Sequence, residues 1–327
     1  MGVSNLASVF DFTLIYATIR SATPILFAAL AACITQQANI LNIGTEGIML
    51  MGAFTAVCVS YFTGSWVLAV LAAIAVGVVF SMIMAIGNIK YGADICAIGM
   101  AINMLAIAFT KFLIKELLGT SGSFTDPKIA QIPRIHIAAF DKNVYLNGLL
   151  NNWSLMEVFG IIMVFVLWFI LFRMVWGLRL RSVGYFPLAA ETAGINAKKM
   201  QYQVMIISGI LGGMAGAHLS IGYSKMFVEN MTNGRGFMGV AAMFFGAANP
   251  IFVWIGTLLF GFTDSVGARL QSYGFPSQFV LMLPYIITVV VLAVSMWRMY
   301  SKAIKVKSSL NIQNKQKIVN AKEEMKL

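Results

Sequence analysis

The stretch ANILNIGTEGIMLMGAF, residues 38 to 54, decides how the chain is read. It sets a carboxylate, Glu46, between Gly44 and Gly47, directly ahead of a run suited to hydrocarbon. Gln36, Gln37, Asn39, Asn42 and Thr45 join the two glycines in separating that run from the apolar run before it. A glycine-bearing interruption at membrane depth is tolerated only where protein or water covers the freed backbone groups. A charge there is costly and faces the bundle interior or a wet cavity.

Composition makes the flanking runs membrane spans. Of 327 residues, 59% are hydrophobic and 11% charged, and the mean hydropathy is +0.83, far outside the soluble range. Apolar stretches of about 20 residues recur, each long enough to cross a hydrocarbon core of roughly 30 Å. They are continuous and do not alternate, which predicts an all-α, polytopic transmembrane bundle and not a barrel. Crossings are expected at 14–34, 46–63, 66–89, 93–118, 153–176, 201–222, 236–248, 251–270 and 277–298, the seventh short enough to be a half-helix or re-entrant piece. The start, MGVSNLASVFDFTL, has no basic region followed by an apolar core and cleavage-type site, so no removable signal peptide is expected.

The net charge of +11 reports topology. From Arg298 onward eight basic residues face two acidic ones, and Arg173, Arg179, Arg181, Lys198 and Lys199 surround Glu191 near the middle. Both clusters are expected in the cytoplasm. The nearly neutral segment Gly119 to Asn152, broken by Pro127 and Pro133, is expected outside. Nine crossings then put the amino terminus outside and the carboxyl terminus in the cytoplasm. The expected division is a transmembrane domain at 1–298 and a basic cytoplasmic tail at 299–327.

Catalytic chemistry is not apparent. Cys33, Cys58 and Cys96 lie within apolar runs without metal-type spacing, and His136 and His218 belong to no cluster. No metal site or cofactor is implied. The polar candidates within spans are Arg20, Glu46, Asp94, Arg235, Asp264 and Arg269. Asp94 and Arg235 sit near span ends, where an interface or capping role is the plain reading, and Arg269 can snorkel. Asp264 lies well inside its run, as a functional group or half of an ion pair.

A second interruption, MTNGRGFMGVAAMFFGAANP at 231–250, parallels the first: Glu46-Gly47-Ile48-Met49 aligns with Arg235-Gly236-Phe237-Met238. Corresponding breaks in two halves are what an internally repeated transporter has, although chance similarity is common in apolar sequence. Between the halves, GLRLRSVGYFPLAAETAGINAKKMQ at 177–201 has Pro187 to start a short helix and Gly194 to end it. Such a helix seats in a groove on a cytoplasmic partner or lies on the membrane surface.

The blocks N-I-L-N-I-G-T-E-G-I-M-L-M-G-A-F (39–54), G-Y-F-P-L-A-A-E-T-A-G-I-N (184–196), S-G-I-L-G-G-M-A-G-A (208–217), G-R-G-F-M-G-V-A-A-M-F-F-G-A-A-N-P (234–250) and P-S-Q-F-V-L-M-L-P-Y-I-I-T (276–288) carry a resemblance. In this order over about residues 14 to 298, the chain resembles permease subunits of ATP-binding-cassette (ABC) importers for simple sugars and nucleosides, within the branched-chain amino acid and ribose permease group. It looks most like the smaller permease of the nucleoside branch. The resemblance implies a heterodimeric permease pair in a bacterial cytoplasmic membrane, a cytoplasmic ATP-binding subunit, and an extracellular binding lipoprotein or periplasmic protein. It also implies that segment 177–200 couples to the ATPase through Gly184, Pro187, Ala189, Ala190, Glu191, Gly194 and Ile195. Phe186 stands where the family often has Asn.

The chain has no GxxxxGK[ST] phosphate loop, so ATP is expected to act through the separate subunit, this chain itself not being an enzyme. A neutral, hydroxylated solute calls for amide and hydroxyl partners, which Asn39, Asn42, Thr45 and Asn103 can supply, with Phe244 and Phe245 as ring faces or as core. Arg235 and Asp264 complete the candidate path, and Glu46 is expected chiefly to brace the broken helix or its amides. The competing expectation is an ion-coupled secondary transporter using Asp264 or Glu46.

Overall fold

In the computed structural model the described residues are 13–135, 152–272 and the positions 282, 286, 289, 290, 293 and 297. Apolar runs become helices and polar interruptions become the joints between them. The order is α1 (Thr13–Gln36), α2 (Thr45–Thr63), α3 (Trp66–Ala85), α4 (Ile95–Leu118), α5 (Leu155–Arg173), α6 (Val175–Tyr185), α7 (Pro187–Thr192), α8 (Ala197–Ala217), α9 (Arg235–Phe245) and α10 (Pro250–Ser272). Helices α3 and α8 continue into wider π-type turns at Ile86–Lys90 and His218–Ser224.

Among the described residues seven helices are long and apolar enough to cross a membrane. They correspond to seven of the nine expected crossings. The short expected crossing at 236–248 is α9, an 11-residue helix, as its half-helix alternative anticipates. At 1.5 Å per residue it is about 16 Å long, half of what a span needs. The expected crossing at 277–298 and the tail at 299–327 lie outside the described residues apart from isolated positions, so a count of nine is not established.

Helix ends follow local chemistry. Asp94 caps α4, accepting from the Ala97 amide at 2.8 Å, which is the plain reading of that acid. Ser154 and Glu157 form a capping box that starts α5. Asn196 accepts from the Lys199 amide at 2.9 Å and starts α8 four residues before the expected 201. Met174, extended at φ −101° and ψ 151°, ends α5 at Arg173, short of the expected 176.

The segment 119–135 is free of helix, as its prolines require, and is tied down by two-residue ribbons. Strand β1 (Ser123–Phe124) pairs antiparallel with β4 (Phe227–Val228), and β2 (Arg134–Ile135) with β3 (Trp153–Ser154).

Helix α8 runs through the centre against α2 and α3, and its S-G-I-L-G-G-M-A-G-A sequence explains how. A Cβ built on Gly213 falls 2.4 Å from the Ala73 carbonyl oxygen, and one on Gly216 falls 2.1 Å from that of Met49. Backbones this close exclude any side chain, and small-residue stripes of this kind let membrane helices associate by van der Waals contact. The outward faces of α3, α4 and α5 carry exposed Leu71, Ile83, Met104, Phe112, Phe165 and Phe169, as lipid or a partner subunit demands.

Candidate functional site

The two interruptions meet. Helix α2 starts after Gly44 and α9 after Gly234, and their amino-terminal ends adjoin. Glu46, in the first turn of α2 and 5% exposed, reaches across the junction. Its Oε1 accepts from the Gly234 amide at 2.8 Å and its Oε2 from the Gly236 amide at 2.6 Å. The unbonded amides of a helix start carry partial positive charge, so one carboxylate serves two helix starts. Glu46 thus does brace amides, but those of the other break. A Cβ on Gly236 would fall 2.6 Å from Glu46 Cα, so only glycine lets the two helices come together.

The expected sequence register of the two breaks shifts by one. The first intrahelical bonds run from Ile48 to Gly44 and from Met238 to Gly234, so Gly44 corresponds to Gly234 and Glu46 to Gly236.

Amide side chains hold the first break from the other side. Asn103 of α4 accepts from the Gly47 amide at 2.8 Å and donates to the Ile43 carbonyl at 3.1 Å. Asn42 donates to Ser208 Oγ at 2.8 Å, and Thr45 Oγ1 donates to the Gly236 carbonyl at 3.5 Å. Asn42, Thr45, Glu46 and Asn103 are therefore buried and bonded to the protein's own polar groups.

Arg235 turns away from Glu46 and pairs with Asp264 of α10 at 3.0 Å, and Ser21 of α1 donates to the same carboxylate oxygen. Asp264 is thus half of an ion pair whose partner is 29 residues away, not the nearby Arg269, which donates to Thr13. Arg20 donates to the Tyr223 carbonyl and lies 4.7 Å over the Tyr223 ring.

Asn39 and Phe244 do come together, at the far end of the breaks. They line a cleft of about 400 Å³ with Gln36, Gln37, and Arg181 and Tyr185 of α6. Gln37 donates to the Ala248 carbonyl at 2.6 Å, joining the residues after α1 to those after α9. A Cβ on Gly184 would fall 2.1 Å from the Gln37 carbonyl oxygen, so α6 rests directly on the first break.

Beyond that contact the α6–α7 hairpin protrudes. Pro187 opens α7 and Gly194, at φ +80°, follows its end, as their sequence positions require. Tyr185, Phe186 and Leu188 are 90%, 60% and 67% exposed. Ala190, one of the residues of the expected coupling segment, is only 3% exposed and faces the protein. Phe186 occupies the cap position of α7 without a side-chain bond. Replacing it with Asn, a good capping residue, is expected to stabilise the turn by about 1 kcal/mol, read as slower amide exchange at Ala189 and Ala190.

Sequence reasoning missed Glu157, although Ser154-x-x-Glu157 ahead of an apolar run is a capping-box signature. Gln37 reads only as part of the break and Arg181 only as part of the basic cluster, and the fold alone reveals that both line one cleft.

Broken helices buried in a bundle of apolar spans, with a hairpin standing clear of it, define a multi-pass membrane permease. Residues 14–292 match the family model for the permease component of the branched-chain amino acid transport system, and the chain belongs to that family. The guanosine ABC transporter permease protein NupQ of Bacillus subtilis is 36% identical over 295 residues, covering 84% of this chain and 89% of NupQ. The nucleoside ABC transporter permease protein NupC of Lactococcus lactis is 32% identical, over 83% of this chain and 88% of NupC. TsgC13 of Haloferax volcanii, by its name a glucose ABC transporter permease, is 29% identical over 91% and 95%. This chain is a permease subunit of an ABC importer. Such permeases work with an ATP-binding subunit and a substrate-binding protein.

Proposed function

We propose that this chain carries nucleosides as one half of a permease pair, with the α6–α7 hairpin as the seat of the ATPase. The observation that carries the docking role is the bare apolar tip, Tyr185, Phe186 and Leu188, beside exposed Glu191 on a short helix outside the spans. A surface of that kind suits a groove on a partner. Gly184, Pro187, Ala189, Glu191, Gly194 and Ile195 are assigned to it, with Ala190 and its inward methyl holding the hairpin's shape. The hairpin and the basic tail share the cytoplasmic side. A nucleoside is preferred to a simple sugar because two of the three relatives are named for nucleosides.

Closure of the ATPase moves the hairpin as a rigid piece, and the Gly184–Gln37 contact passes that movement to both breaks. The solute path runs along the breaks from Asn39 to Phe244, framed by Asn42, Thr45, Glu46 and Asn103 and by the Arg235–Asp264 pair. An ion-driven mechanism is less suited to these groups, since Glu46 and Asp264 are each engaged by fixed partners.

Leu188→Asp or Glu191→Arg is expected to lower the ATPase recovered with the tagged permease by about tenfold, a loss of ~1.4 kcal/mol, while membrane insertion is unchanged. Undiminished recovery and uptake in both variants would remove the hairpin from the coupling role. The solute assignment is tested separately, by fluorescence titration of the cognate binding protein with nucleosides and sugars; binding of sugars alone would refute it.

A further inference from the structure

The cleft between α6 and the two breaks contains polar atoms that the protein leaves unused. Gln36 Oε1 and Arg181 Nε are buried and have no hydrogen-bond partner among the described residues. Buried groups of this kind are normally bonded, so two residues that line the cleft, Gln36 and Arg181, each carry an unpaired polar atom, an acceptor and a donor, closed off from solvent. Its other walls suit a small amphipathic molecule: the amides of Gln37 and Asn39, and the rings of Tyr185 and Phe244. At about 400 Å³ it is within the usual range for small-ligand sites.

Electrostatics narrows the ligand. Arg181 brings one positive charge, its guanidinium 4.9 Å over the Phe172 ring. Helices α1 and α9 both end at the cleft, at Gln36 and Phe245, and helix carboxyl ends carry partial negative charge. Two such ends offset the guanidinium, so the cleft favours a neutral heterocycle with hydroxyl groups over a phosphorylated one. Position adds a consequence. Its lining comes from the hairpin helix and from the residues that end α1 and follow α9, and Gly184 and Gln37, which lie in backbone contact, both belong to it.

We infer that this cleft is a release-side nucleoside site whose occupancy pins the hairpin to the broken helices and thereby slows the ATPase. The inference rests on the nucleoside and coupling readings proposed above, and it adds a site at which transported solute restrains further import. Affinity is weak, because the site must empty into the cytoplasm.

The test uses the purified assembly of both permeases and the ATPase, without the binding protein. Equilibrium dialysis with labelled guanosine, guanosine 5′-monophosphate and ribose is run alongside ATP hydrolysis. Guanosine is expected to bind with a Kd on the order of 1 mM and to slow basal hydrolysis by about twofold or more. Gln36→Leu and Arg181→Gln are expected to weaken binding by about tenfold and to abolish the slowing. Phe244→Ala changes a half-exposed side chain, keeps the fold, and is expected to weaken binding severalfold.

Absence of guanosine binding, in an importer whose binding protein takes nucleosides, would overturn the cleft site and leave the nucleoside reading standing. Binding that survives in all three variants, or monophosphate binding tighter than guanosine, would overturn it equally. A binding protein that refuses nucleosides would overturn the substrate reading on which the site depends.

Discussion

Glu46→Gln is expected to lower stability by about 2–4 kcal/mol and to abolish uptake. Both carboxylate oxygens accept backbone amides, from Gly234 and Gly236, within a junction closed to solvent. Glutamine keeps the shape but offers one acceptor and one donor, so an NH₂ must face an N–H. A buried donor left without a partner costs ~1–3 kcal/mol. Loss of the negative charge beside two helix starts adds roughly 0.3–1 kcal/mol for each. Glu46→Asp fares little better, since the shorter side chain cannot span two amides. In detergent-solubilised protein the loss should appear as a fall in Tm of about 5–15 °C. A variant that melts with the wild type would show that the carboxylate does not hold the junction.

Gly216→Leu is expected to act on assembly of the bundle itself. The first added carbon lies 2.1 Å from Met49 O and 2.5 Å from Ala53 N, both backbone atoms of α2 that cannot rotate aside. Helix α8 must then separate from α2, and the central small-residue contact is lost. The cost is about 3 kcal/mol or more, and little folded protein should elute as a single peak in size-exclusion chromatography. Gly64→Ala is the informative control. Gly64 has φ +66°, but no atom lies within 4 Å of its added carbon. That substitution pays only the left-handed backbone penalty, ~1–2 kcal/mol, and should be recovered in good yield. Equal yields from the two variants would refute the close-contact account.

What could be read from sequence follows the range of the interactions involved. Helix positions depend on apolar runs and near-neighbour caps, so α2, α4, and α3 taken together with its π-type turn lie within two residues of their expected crossings, and Pro187 and Gly194 delimit α7 as expected. Burial of Glu46 followed from the same local reasoning. Its partner did not, because Gly234 and Gly236 are 188 and 190 residues away and glycine amides leave no mark in composition. Asp264 was seen as an unusual acid, but its pairing with Arg235 depends on α9 lying against α10. The burial of Ala190 was not legible, since a six-residue helix has too little periodicity to tell inside from outside. The cleft was the least legible feature. Asn39 and Phe244 were picked out singly, whereas Gln36 and Arg181 are common polar residues until three separate segments bring them together.

The shared carboxylate at the helix junction also governs the order in which the protein can be made. Ribosomes add roughly 5–20 residues per second, so the 188 residues between Glu46 and Gly234 occupy about 10–40 s of synthesis. During that interval α2, α3 and α4 are completed around an acid whose amide partners have not yet been translated. The amino-terminal half is therefore no independent folding unit, and it completes its interior only when the last third of the nascent chain arrives.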